Sequence, residues 1–78
     1  MNLVIALDEL QKARRIVADG QKCLSEQRKV VDQLENGGGD TLDAIQFLDY
    51  LEEMQEQYLA HRDRLEQQVL GMVKLELD

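Results

Sequence analysis

Glu35-Asn36-Gly37-Gly38-Gly39-Asp40-Thr41 lies at the midpoint of the chain and carries three of its five glycines. Proline is absent, so no other stretch gathers loop formers in this way. Read as a turn, this segment divides the chain into two arms of similar length, each with a helical hydrophobic pattern. A left-handed glycine among Gly37, Gly38 and Gly39 ends the first helix, and Asp40 suits the N-cap of the second. Asp43 then favours the positive end of the new helix dipole. The glycine run lacks the lysine of a phosphate-binding loop and the spaced oxygen ligands of an EF-hand, so it reads as a structural turn.

In the first arm, Leu3, Leu10, Val17, Leu24 and Val31 recur every seven residues. Three positions after each stand Ala6, Ala13, Gly20, Gln27 and Leu34. Alternating spacings of three and four over this length are the pattern of a coiled-coil-like helix. Three members of the second series are small, so a partner helix can approach closely or place a large side chain there. Acids and bases balance and are interspersed along this arm, as on a solvated helix face.

The second arm has its own series, Ala44, Leu51, Tyr58, Leu65 and Met72, with Leu48, Gln55, Arg62 and Val69 beside it. Folding the chain at the glycines makes the two series meet with a constant index sum. Leu10 faces Leu65, Leu24 faces Leu51, Gly20 faces Gln55 and Ala13 faces Arg62. Small residues thus lie opposite long ones, an agreement between levels that a hairpin requires. The expected architecture is all-α: one antiparallel hairpin over residues 1–78, with helices at about 2–36 and 41–76 joined by a turn at 37–40. Gln27, Gln55 and Arg62 put polar groups on the seam, where they set register at some cost in stability. Arg62 has the length to cross Ala13 and reach Asp8, Glu9 or Glu66.

The two flanks of the seam differ. One pairs Arg14 with Glu66 and Arg28 with Glu52, a wet edge of weak ion pairs. The other places Val30 by Phe47, Cys23 by Met54 and Ile16 by His61, an apolar stripe that two helices cannot cover. Val4, Ile5, Leu70 and Val73 add apolar surface at the open end of the hairpin. Isolated chains seldom leave such patches to water. Self-association through Ile16, Cys23, Val30, Phe47, Met54, Val4, Ile5, Leu70 and Val73 is therefore expected, as a homodimeric four-helix bundle.

A net charge of −7 argues against direct nucleic-acid binding, which needs a cationic face. No lysine or arginine stands between Lys29 and Arg62, while Asp49, Glu52, Glu53 and Glu56 collect there. This acidic half of the second helix serves solubility or docks a basic partner. No stretch reaches the ~18 apolar residues of a membrane span, and Leu3 to Leu7 are too few for a signal-peptide core. A cytoplasmic protein that does not engage membranes is expected.

Candidate chemistry is thin. His61-Arg62-Asp63 matches a kinase catalytic-loop triplet in letters only, without a glycine-rich loop to accompany it. His61 has Gln57 and Leu65 one turn to either side, so no second metal ligand shares its face. Tyr58 occupies the place of the glutamate in the Glu-x-x-His pair of di-iron bundles. Lone Cys23 can form no internal disulfide and reads as a small core residue. No cofactor, metal or catalytic residue is expected, and the chain is not read as an enzyme.

The run Gln27-x-x-Val30-Val31-x-x-Leu34-Glu35-x-x-Gly38-x-Asp40-Thr41-x-x-Ala44-x-x-x-Leu48-x-x-Leu51-Glu52, followed by His61-Arg62-Asp63-Arg64-Leu65, resembles a group of short bacterial helical-hairpin proteins without an assigned activity. The resemblance covers about residues 13–67, and its most specific part is the Gly-x-Asp-Thr turn. It implies a small stand-alone bacterial helical protein and transfers no catalytic residue. Two functions fit the residues: an interaction protein acting through self-association and protein binding, or an acidic inhibitor that mimics nucleic acid and blocks a nucleic-acid-binding protein.

Overall fold

The computed structural model describes residues 2–77 as two helices, α1 (Leu3–Asn36) and α2 (Leu42–Leu77), packed antiparallel. At 34 and 36 residues they are far longer than the ~11–12 residues of an average helix. Their ends are capped. Asn2 accepts the Ile5 N–H through its side chain at 2.9 Å and opens α1. At the other end Gly38 adopts φ 74°, Gly39 N–H donates to Leu34 C=O at 2.8 Å, and Gly38 N–H reaches Glu35 C=O at 3.4 Å. This pair of bonds is a Schellman motif, and it needs a residue without a Cβ at Gly38. Asp40 Oδ1 then accepts the Leu42 N–H at 3.0 Å. The first helical bond of α2 runs to Thr41 C=O, so Asp40 caps from one residue further out than the cap position itself.

Burial follows the seven-residue series. On α1, Ala6, Leu10, Ala13, Val17, Leu24 and Val31 are buried; on α2 only Gln55, Leu65 and Val69 are. Ala6, Leu10, Ala13, Leu65 and Val69 form the core cluster, with Leu3, Met72 and Val73 against it. Each such Leu or Val stabilises the fold by on the order of 1.5–3 kcal/mol relative to exposure. Towards the turn the seam is less closed, since Ala44, Leu48, Leu51 and Tyr58 are only half-buried. The molecule is a rod of 62 × 15 × 14 Å with a radius of gyration of 17.7 Å. A compact domain of this length would measure about 11–12 Å. Two helices side by side therefore supply a seam and no enclosed interior.

The polar seam residues each find a different solution. Gln55, 4% exposed, lies across the backbone at Gly20, and its Nε2 donates to Val17 C=O at 3.0 Å. Its Oε1 has no hydrogen-bond partner and stands 1.8 Å from where a Cβ at Gly20 would be. Gly20 is thus the notch that admits the Gln55 amide. Gln27 Nε2 donates to Ala44 C=O at 2.9 Å. Arg62 reaches Asp63 at 2.9 Å and Glu66 at 3.8 Å; Asp8 and Glu9, the other acids within its expected reach, hold Lys12 instead. Hydrogen bonding and charge from Asp8, then the charge of Glu9, raise the Lys12 pKa above its ordinary 10.5. A raised value means this contribution is present at neutral pH and is lost only as pH rises through the folded-state pKa.

The notch makes two glycine substitutions informative. Alanine at Gly20 gains about 1 kcal/mol in helix propensity but displaces the Gln55 amide, which costs about 1–3 kcal/mol in a lost buried hydrogen bond. Gly20→Ala is expected to lower the urea midpoint. At Gly71 no atom lies within 4 Å of the added Cβ, so Gly71→Ala should raise it by the propensity gain alone. Equal shifts in the two variants would show that Gln55 does not occupy the notch in solution.

Candidate interaction surface

The flank predicted to be apolar is open in the single chain. Ile16 is 44% exposed, Val30 41%, Phe47 50% and Tyr50 56%, and Met54 is half-buried. Cys23, expected in the core, is exposed, because α2 turns Met54 and Leu51 toward the seam without reaching over it. Two recesses run along this flank. One, of ≈ 260 Å³, is lined by Ile16, Gly20, Cys23, Tyr50, Met54 and Gln55 among others. The next, of ≈ 270 Å³, is lined by Cys23, Gln27, Val30, Phe47 and Leu51 among others. Cys23 and Leu51 border both, so the recesses form one groove. Phe47 and Tyr50, which both line the groove, stack at 6.3 Å between ring centroids with 14° between planes. Tyr50 was not among the predicted surface residues. It stands three after Phe47 and four before Met54, and that helical spacing was the signal for it.

The open-end residues divide between faces. Leu70 borders a separate recess with Leu10, Arg14, Glu66 and Val69 on the opposite flank. Val73 packs against the core cluster. Val4 and Ile5 are 76% and 50% exposed. Eleven residues make three helical turns, which brings Ile5 into line with Ile16 and leaves Val4 on the other side of α1. The expected self-association set is therefore two surfaces: Ile5, Ile16, Cys23, Val30, Phe47 and Met54 on the groove side, and Val4, Leu70 and Val73 away from it.

The wet flank is partly as expected. Arg14 and Glu66 pair at 3.3 Å. Arg28 and Glu52 do not pair among the described residues, where both side chains stay in water. Asp49, Glu52, Glu53 and Glu56 are all exposed, and none joins an ion pair among the described residues. No group of three His, Cys, Asp or Glu residues among those described is placed to hold a metal ion. No described helix is long and apolar enough to cross a membrane. No protein-family model matches the chain, and no curated protein or solved structure matches it either.

Proposed function

We propose that this chain is a non-catalytic helical interaction protein of the cytoplasm, working as a homodimer in which two hairpins form a four-helix bundle. The observation that carries the reading is the groove. Ile16, Cys23, Val30, Phe47 and Tyr50 are exposed together along one flank of a rod that has no second layer to cover them. A 78-residue chain with this little enclosed core gains most of its remaining stability by burying that flank. The acidic stretch Asp49, Glu52, Glu53 and Glu56 then faces outward as a docking surface for a basic protein partner. Sedimentation equilibrium at micromolar concentration tests the dimer: twice the chain mass of 9.0 kDa supports it, and a well-folded single chain overturns it.

The four unpaired carboxylates favour one second reading, an acidic mimic that occupies a nucleic-acid-binding groove. The two readings separate on one variant. Changing Asp49, Glu52, Glu53 and Glu56 to Asn or Gln should leave the dimer mass unchanged, since none lines the groove. If mimicry is the function, the wild-type chain competes with DNA for a DNA-binding protein and the neutralised chain does not.

A further inference from the structure

We infer that the groove takes, in exchange for the second copy, one amphipathic helix of another protein, with an apolar stripe and a row of Lys or Arg along the edge that faces α1. This rests on the reading of the groove as an interaction surface and adds the chemistry of the partner that enters it.

The apolar walls have the period of a helix. Ile16, Cys23 and Val30 stand seven apart on α1, and Phe47 and Met54 seven apart on α2. Both rows line the recesses. A helix with apolar residues at alternating spacings of three and four meets both rows at once, because its own stripe advances at the same rate. Ile16 to Val30 covers about 21 Å at ~1.5 Å per residue, so the occupant is about 15–18 residues long. Laid between α1 and α2 it completes a three-helix bundle, the helix-in-groove mode of recognition.

Charge selects the occupant. Asp19 borders one recess and Glu26 the other, and both are exposed. Neither joins an ion pair among the described residues, and no Lys, Arg or His lines either recess. Lys22 and Lys29 follow Val4 by five and seven whole helical turns, which puts them on the Val4 side of α1, away from the groove. The recess on the opposite flank differs, since Arg14 and Glu66 border it and pair at 3.3 Å. Asp19 and Glu26 are one heptad apart, so bases seven apart on the docked helix reach both. A second copy seated on the groove brings its own Asp19 and Glu26, and like charges sharing an interface oppose pairing. A basic edge makes ion pairs of the same carboxylates. Each exposed pair contributes little, but complementary rims decide between occupants of similar apolar contact.

The probe is a fluorescein-labelled helical peptide of about 18 residues with a leucine stripe of heptad spacing and lysines along one edge. Its twin carries glutamate in place of lysine. At about 0.15 M salt, where long-range attraction is screened, fluorescence anisotropy should show the lysine peptide binding the full chain at least roughly tenfold more tightly than its twin. Phe47→Asp adds an acid but puts an ion in the apolar groove, so it should weaken binding roughly tenfold, whereas attraction by net charge alone would strengthen it. Asp19→Asn with Glu26→Gln should weaken it about tenfold, and neutralising Asp49, Glu52, Glu53 and Glu56 less than about twofold. At saturating peptide the dimer should give way to single 9.0 kDa chains, each carrying one peptide. Four results overturn the inference: no binding of the lysine peptide, equal binding of its twin, tighter binding by Phe47→Asp, or loss that follows the four outward acids instead of Asp19 and Glu26. A dimer that survives saturation overturns it as well, and in each case a dimer by sedimentation leaves the self-association reading standing. A single chain in the absence of peptide overturns that reading, while groove binding of the lysine peptide to it supports this one.

Discussion

A chain carrying Phe47→Asp and Met54→Lys together should sediment as single 9.0 kDa chains at concentrations where the wild type is paired. Phe47 is half exposed and Met54 half-buried, and both line the groove. A carboxylate and an ammonium placed there lose their water when the groove is covered, and desolvating an ion without a partner costs several kcal/mol. That exceeds what the remaining apolar contacts can offset. Both substitutions lie outside the core cluster at the open end of the hairpin. Thermal stability should nevertheless fall and cease to depend on concentration, because mass action no longer favours the folded state. An unchanged mass would place the interface on the other flank, where Leu70 borders the recess at Arg14 and Glu66.

The second large effect lies in the seam. Leu10 is 4% exposed and sits in the cluster with Ala6, Ala13, Leu65 and Val69. Its neighbours Ala6 and Ala13 are already small, so nothing on α1 can move in to fill the space it leaves. Leu10→Ala is expected to cost about 2–5 kcal/mol, with a fall in Tm of 4–8 °C for roughly each kcal/mol in a domain of this size. Calorimetry of the variant beside Leu75→Ala gives the contrast. Leu75 is 78% exposed near the C-terminal end of α2, and its loss should shift the midpoint little. Similar shifts in the two variants would mean that the seam does not hold the hairpin together.

The pairing of the helices was legible because two independent periodicities had to agree across the turn. Gly20 opposite Gln55 followed from the register alone, and the amide does lie in the glycine notch. Arg14 opposite Glu66 followed from the same register and pairs at 3.3 Å. Other details depend on distances that spacing does not carry. Arg28 and Glu52 share a flank, yet side chains on a water-facing edge gain too little to hold one conformation, and they remain apart. Cys23 reads as core by its neighbours but is exposed in the hairpin, because burial on that flank needs a third helix. Tyr50 stands one residue before the seam position Leu51, about 100° around the helix from it, so a heptad reading passes over it although it stacks on Phe47. The apolar open end read as one patch because its residues are level along the rod. Their angular positions around each helix divide it between two flanks.

The covered groove is most directly observed by isotope-filtered NOE spectroscopy on a mixture of labelled and unlabelled chains, which detects only contacts between copies. The account predicts cross-peaks from the Phe47 and Tyr50 rings to Met54, Cys23 and Ile16 of the other chain, with none from Leu70. Cross-peaks confined to Leu70, Val73 and Val4, or none at all at concentrations well above those used for sedimentation, would contradict it.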